Sequence, residues 1–254
     1  MKIFLRFCGG FNALALIMLI LWAAIALPTF GMWFYRWQFS QIGSDGMTTY
    51  ERVQMQPEHL HEVTLHMIRY MQGRLPGQYQ EFGADRNFIH EMDPALQIDT
   101  IVAGQPRPFF SDIEIRHMFD VYELFRYGYI IRDIMLIILL VTTVSFLLFG
   151  RDERSILFKS WQYGSAIVAG MLGALAIAIA INWRRAFHIF HEIFFSNDEW
   201  ILDARVDLLV NIVPYPFFEA ISAFIGIFFG LGLIIMFVAG KLLARRGRKF
   251  SRRF

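Results

Sequence analysis

Apolar and polar positions are distributed unevenly along this chain of 254 residues. Four long runs almost free of charge alternate with segments of ordinary globular mixture. The first run covers residues 7–35 and contains Pro28, which predicts a kink near its end. The second covers 134–150 and reaches spanning length if it begins near Gly128, with Arg132 and Asp133 at its end. The third covers 160–183 and the fourth about 220–240. A bilayer-crossing helix needs roughly 20 apolar residues, and in hydrocarbon a helix satisfies its backbone within one segment. Each run therefore predicts a transmembrane helix. The first exceeds the apolar core of a signal peptide and lacks a small-residue cleavage site, so it is read as retained. The third is rich in Gly and Ala from Ala166 to Ala180. Small residues let helix backbones approach closely, so this helix is expected to be the innermost.

The stretch between the first two runs has helical patterns of its own. One begins at Pro57-Glu58, places Leu60, Val63, Leu65, Met67, Ile68 and Met71 as its apolar positions, and stops at Gly73, Pro76 and Gly77. Another begins at Ser111, with Glu114 three residues on forming a capping box, and continues into the second run. Between them lie turn signals at Gly83, Pro94, Gly104, Pro106 and Pro108, and a short strand is predicted over 96–102. The expected fold is a mainly α membrane protein. Four transmembrane helices carry an extracytoplasmic cap, with short strands, inserted between helices 1 and 2. The expected segments are 1–35 (N-terminus and first span), 36–126 (cap), 127–150 (second span), 151–159 (loop), 160–183 (third span), 184–219 (aromatic outer segment), 220–240 (fourth span) and 241–254 (basic tail).

Composition agrees with this class. Charged residues make up 18% against the roughly 25% of a soluble domain, and 56% of residues are hydrophobic. Charge placement sets the orientation. All four lysines, Lys2, Lys159, Lys241 and Lys249, fall in the N-terminus, the 151–159 loop or the tail, together with Arg6, Arg151, Arg154 and the tail arginines. Basic residues beside span ends mark the cytoplasmic side, so both termini are expected inside. The net charge of +2 gives no reason to expect nucleic-acid binding. A single cysteine, Cys8, excludes an internal disulfide and a cysteine-based metal site.

Candidate chemistry narrows to histidine. His59, His61 and His66 lie near Glu62, but the five-residue step from His61 to His66 departs from the His-Glu-x-x-His zinc pattern. They are expected to be solvated, and no metal is expected. His188 and His191 are three apart with no third ligand evident. No Gly-x-Ser-x-Gly elbow supplies a nucleophile. His117 stands just before the second run with Asp120 three residues on, where a carboxylate on the same helix face can orient an imidazole. His191 follows the third run among Trp183, Phe187, Phe190, Phe194, Phe195 and Trp200. Either imidazole could act as general acid or base near pH 7, or simply anchor at the membrane interface. The aromatic density suits an apolar, water-poor pocket. Arg184, Arg185, Asp203, Arg205, Asp207 and Asn211 are expected to order that segment by mutual pairing.

Two stretches carry a family resemblance. His117-Met118-Phe119-Asp120-Val121 is one. The other is Phe187 to Phe195, followed by Trp200-Ile201-Leu202-Asp203, Asp207 and Pro214 to Phe218. Together they resemble the bacterial lipoprotein intramolecular transacylases. One departure is Ala204, where that family often has proline after the first aspartate. The resemblance implies a metal-independent acyltransferase of the bacterial plasma membrane, without cofactor, working at the outer-leaflet interface. Its substrates would be diacylglyceryl-modified lipoproteins in a setting of membrane lipids, with no obligate protein partner. It would move the sn-2 acyl chain to the α-amino group of the N-terminal cysteine, giving the lyso-form lipoprotein. The catalytic histidines fall on His117 and His191. Asp120, Arg116 and Asp207 are the supporting residues, with Arg116 a candidate oxyanion donor, and Phe187, Phe194, Phe195 and Trp200 the pocket. The competing readings are a non-catalytic scaffold, a transporter, and an acyltransferase or hydrolase acting on another lipid ester. Transport is disfavoured because the span centres lack charge.

Overall fold

A computed structural model describes residues 1–78, 94–150 and 153–250, with the backbone alone at residue 94 and over 246–250. The turn signal at Gly83, the loop residues Arg151 and Asp152, and the tail residues Arg252 and Arg253 lie outside the described residues. In chain order the elements are α1 (Lys2–Thr29), α2 (Met32–Phe39), α3 (Thr49–Val53), α4 (Pro57–Met71), β1 (Asp99–Val102), β2 (Gln105–Pro108), α5 (Asp112–Phe149), α6 (Arg154–Ile181), α7 (Trp183–Phe194), α8 (Leu209–Ile212) and α9 (Tyr215–Phe250), with a 3₁₀ turn at Pro94–Leu96. Helix dominates. Four helices are long and apolar enough to cross a membrane: α1, α5, α6 and, over Tyr215–Arg245, α9.

The chain divides into two compact units. The first comprises Met1–Ala26, Tyr129–Asn182 and Ser222–Phe254. Its helices pack through Ala13, Ile17 and Ala24 of α1 against Phe229, Leu233 and Met236 of α9. A second cluster joins Leu5, Cys8, Phe146 and Leu157. Asn12, fully buried, donates to Thr142 Oγ1 at 2.9 Å and Thr143 Oγ1 at 3.0 Å, and accepts from Trp161 Nε1 at 2.9 Å. One amide thus ties three helices together. Arg132 pairs with its neighbour Asp133 at 2.8 Å and lies over the Tyr129 ring at 4.9 Å.

The third span is not the innermost. Only 6% of the apolar window of α6 is buried, against 28% for α1 and 22% for α9. A Cβ added at Gly170 or Gly173 would meet nothing within 4 Å, so these glycines permit no close approach. Tight approaches occur at other glycines, at Gly9 of α1, where a Cβ would meet Ser160 Oγ at 2.7 Å, and on α9. A Cβ at Gly232 would collide with Ile20, and one at Gly240 would meet the Phe158 carbonyl at 2.7 Å. A small residue allows a close crossing but does not choose which helix arrives there.

The second unit comprises Leu27–Gly128 and Trp183–Ile221. The first apolar run does not continue as one helix to residue 35. It ends at Thr29 and restarts at Met32, because Pro28 lacks the N–H for the helical ladder and Gly31 turns close under the Leu27 carbonyl. Helix α4 starts with Pro57 in its first turn, where a missing N–H costs nothing, and the chain leaves it through Gly73 at φ 67°. Leu60, Val63, Thr64, Met67, Ile68 and Met71 form its buried stripe. Leu65, counted among the apolar positions from sequence, is 38% exposed because it falls off that 3.6-residue stripe.

The predicted strand begins at Asp99 and is half of an antiparallel hairpin, with Val102 opposite Gln105. Ala103 and Gly104, at φ 51° and 76°, make its two-residue turn. Pro106 and Pro108, read from sequence as turn signals, sit in the exposed edge strand β2, where no ladder N–H is required of them.

Candidate active site

Helix α5 starts as its capping box predicts. Ser111 N–H donates to Glu114 Oε2 at 2.6 Å, and Glu114 N–H donates to Ser111 Oγ at 3.4 Å. The other Glu114 oxygen reaches much further and accepts from Leu209 N–H at 2.6 Å, at the start of α8. Ser111 Oγ donates to Asp207 Oδ1 at 2.7 Å, and Asp207 Oδ2 accepts from Asp203 N–H at 2.7 Å. Glu114 and Asp207 are both buried, so these bonds pin residues 203–209 to the first turn of α5. Asp203 in turn holds Arg205, at 2.5 Å to Nη2, and Asn211 Nδ2 donates to the carbonyls of Ala204 and Asp207. The turn closes with Ala204 inside it, Val206 N–H donating to the Asp203 carbonyl at 3.0 Å.

One and a half turns further along α5, His117 meets His191 of α7. Both are buried, and their ring centroids lie 6.2 Å apart with 33° between planes. Phe195 touches both, at 5.3 Å from His117 and 5.5 Å from His191. Trp200 covers His191 at 4.7 Å and 31°, and Phe187 approaches it at 4.1 Å. Phe187 is backed by Tyr215 at 4.8 Å and Phe218 at 5.2 Å. Phe194 is not part of this enclosure. It is 51% exposed and stacks on Phe190 at 4.7 Å, being three residues from His191 on the outward side of a strongly amphipathic helix. Phe190 also approaches this ring, 5.3 Å from His191.

The two imidazoles are held differently. His191 Nδ1 lies 2.8 Å from the Phe187 carbonyl. A carbonyl only accepts, so Nδ1 carries the hydrogen and Nε2 of the neutral ring carries the lone pair. Burial disfavours the charged ring and, with His188 nearby, holds the His191 pKa below its ordinary value, while the bond to Phe187 partly opposes the shift. His117 Nδ1 is buried with no hydrogen-bond partner among the described residues.

The supporting residues serve a loop. Asp120 accepts from Asn197 Nδ2 at 2.9 Å rather than binding His117 Nδ1, because the carboxylate follows the α5 face that the loop covers. Arg116 Nε donates to Glu199 Oε1 at 2.7 Å and is therefore engaged as an ion pair. Asn197 Oδ1 also accepts from Glu199 N–H at 2.9 Å. Asn197, Glu199 and Glu114 were missed as site residues from sequence. Only the capping-box spacing of Glu114 was a readable signal, since the other contacts join positions 77 and 83 residues apart.

The remaining histidines lie elsewhere. His61 bonds Tyr50 Oη at 2.8 Å and His66 bonds the Ala95 carbonyl, and the three histidines of α4 are half-buried rather than solvated. The cause is packing of α4 against α2 and the hairpin, with Tyr50 of α3 set against His61. Among the described residues no three metal-ligating side chains converge.

A family model described as lipoprotein intramolecular transacylase Lit matches residues 11–218. No curated protein matches the chain in sequence. Among solved structures, the in meso structure of the membrane integral Lit from Bacillus cereus is similar, with a TM-score of 0.73 and 19% identity over 100% of both chains. Two further structures of that protein carry a histidine-to-arginine and a histidine-to-alanine substitution. Each has a TM-score of 0.70 and 18% identity, covering 98% of this chain and 95% and 97% of theirs. At such identities the structural likeness speaks for the fold.

Proposed function

Because the chain belongs to the lipoprotein intramolecular transacylase Lit family, we propose that it transfers an acyl chain within a diacylglyceryl-modified lipoprotein. The chain leaves the sn-2 ester oxygen of the glyceryl group and joins the α-amino nitrogen of the N-terminal cysteine. The observation that carries this reading is the buried pair His117 and His191, 6.2 Å apart inside a wall of Phe187, Phe195 and Trp200.

Both reacting groups belong to one substrate, so no enzymic nucleophile is required. The work is conformational and protonic. Folding a flexible headgroup so that amine and ester meet is worth up to about 7–11 kcal/mol of barrier, and rigid aromatic walls supply that restraint. The amine arrives as ammonium and must lose a proton before attack. His191 suits the role of base, because its lone pair is fixed on Nε2 and burial keeps the ring neutral. Nitrogen then attacks the ester carbon, and the tetrahedral oxyanion collapses with cleavage of the carbon–oxygen bond. His117 takes the second N–H proton from the nitrogen of the tetrahedral adduct and passes it to the departing glyceryl oxygen. The amide forms, a hydroxyl is left at sn-2, and total mass is unchanged. Asp120 and Arg116 position this site through their bonds to Asn197 and Glu199, and Asp207 through its bonds to Ser111 and Asp203. A bacterial plasma-membrane protein with both termini inside and the histidines at the outer leaflet fits the lysine distribution. In that arrangement residues 36–126 form a cap between the first two spans.

Mass spectrometry of the N-terminal peptide of an abundant lipoprotein tests the proposal, in cells lacking diacyl-lipoprotein N-acylation, with and without this chain. Movement of an acyl group from glycerol to nitrogen at constant mass is expected. Loss of the acyl group as free fatty acid would make the chain a hydrolase. An untouched diacylglyceryl peptide, with the protein folded in the membrane, would leave a binding role.

A further inference from the structure

Glu199 has a feature that its ion pair does not use. Its Oε1 accepts from Arg116 Nε at 2.7 Å, but its Oε2 is buried with no hydrogen-bond partner among the described residues. A carboxylate oxygen can only accept, and buried acceptors in folded proteins are almost always matched by a donor. The residue is also held firmly. Its N–H is bonded to Asn197 Oδ1, whose amide donates to Asp120, so the loop grips α5 at two positions four residues apart, Arg116 and Asp120. His117 lies between those positions in the chain, and Trp200, next after Glu199, covers the His191 ring at 4.7 Å. The orphaned oxygen therefore belongs to the loop that walls the histidine pair.

We propose that Glu199 Oε2 is the binding subsite for a primary ammonium group, the α-ammonium of the substrate's N-terminal cysteine. This rests on the transacylase reading and adds the group that recognises the amine. An ammonium has three N–H donors. One meets Glu199 Oε2, and another is left for His191 Nε2, which removes that proton before attack on the ester. Glu199 is thus a positioning residue that holds the nitrogen where His191 can deprotonate it. It also makes the site selective for a free amine over an acylated one.

The test is steady-state kinetics of the purified full chain on a synthetic diacylglyceryl lipopeptide, wild type against Glu199→Gln. Glutamine keeps an oxygen for Arg116 but removes the charge. A rise in KM of about tenfold is expected, the usual worth of a charge-assisted hydrogen bond. The acid limb of kcat is expected to move to lower pH, because a carboxylate favours the protonated amine and its loss makes deprotonation easier. The limb carries the titration of His191 as well as that of the amine, so the rise in KM is the readout specific to the amine. A merely structural clamp would leave that limb in place. A KM within about twofold of wild type and an unmoved limb overturn the inference while leaving the transacylase reading intact. A wild type that forms no N-acyl product defeats the earlier reading first. Should the variant fail to fold, two unreactive diether analogues decide the matter as inhibitors of wild type. The free-ammonium analogue is expected to bind at least about tenfold more tightly than its N-acetyl counterpart, and equal inhibition overturns the proposal.

Discussion

The two units differ in how completely their buried polar atoms are satisfied. Around Asn12, in the helices of the first unit, the amide donates to two threonines and accepts from Trp161. In the second unit, His117 Nδ1 and Glu199 Oε2 are buried with no partner among the described residues, as are His59 Nδ1 and Trp183 Nε1. A satisfied network in apolar surroundings is a device for fixing helix register. An unsatisfied acceptor in a confined aromatic wall is a stability cost that makes sense when a ligand completes it. Stability and function are thus carried by different buried polar groups, and each can be perturbed without the other.

The largest effect is expected at the histidines. His191→Ala and His117→Ala should each lower the rate of acyl transfer by about 10²–10⁴-fold, read as N-acylated peptide by mass spectrometry, with unchanged thermal unfolding. Full activity in either folded variant would remove that residue from the chemistry. The wild-type rate should also show an acid limb below about pH 6.5, the ordinary histidine value. His191 must be neutral to act, and burial lowers the pH at which it takes up a proton, so activity is present above that value and lost as pH falls through it.

Loosening the loop comes next. Asn197→Ala removes the bonds to Asp120 and to Glu199 N–H, and should cost about tenfold in kcat/KM through misplacement of Glu199 and Trp200. Unaltered kinetics would show that the loop is held without this clamp. Asn12→Ala sharpens the comparison from the other side. It should destabilise the fold by about 1–2 kcal/mol, measured as thermal unfolding in detergent, with kcat within about twofold of wild type. A loss of activity at full stability would mean the two units are not energetically separate. The smallest effect is expected at Gly170→Ala, where a methyl group meets nothing, so stability should shift by no more than about 1 kcal/mol. A large loss there would restore a packed role for the third span.

The histidine pair illustrates how far local reading reaches into a site. His117 and His191 stand out as candidates because polar, titratable residues flank apolar runs in two motif-bearing stretches, and the fold brings their rings within 6.2 Å. Phe187, Phe195 and Trp200, grouped by aromatic density, do lie against the histidines, whereas Phe194 lies outside that group, since density does not reveal which side of α7 is turned inward. Asp120 was matched to the nearest histidine on its own helix, although its bond goes to Asn197, 77 residues away.

The sequence by itself determined the class of the protein and the local starts and stops. Long uncharged runs must become helices where no water is available to the backbone, and the Ser111–Glu114 box and the Pro57 start are complete within a few residues. Only the tertiary structure decided the pairings of Arg116 with Glu199 and of Glu114 with Leu209, the hydrogen placement on His191, and the exposure of the third span. These depend on which faces of separate helices and loops meet. That choice is made by packing the whole chain at once, because a hydrogen bond across 80 or more residues leaves no periodic trace in the residues between.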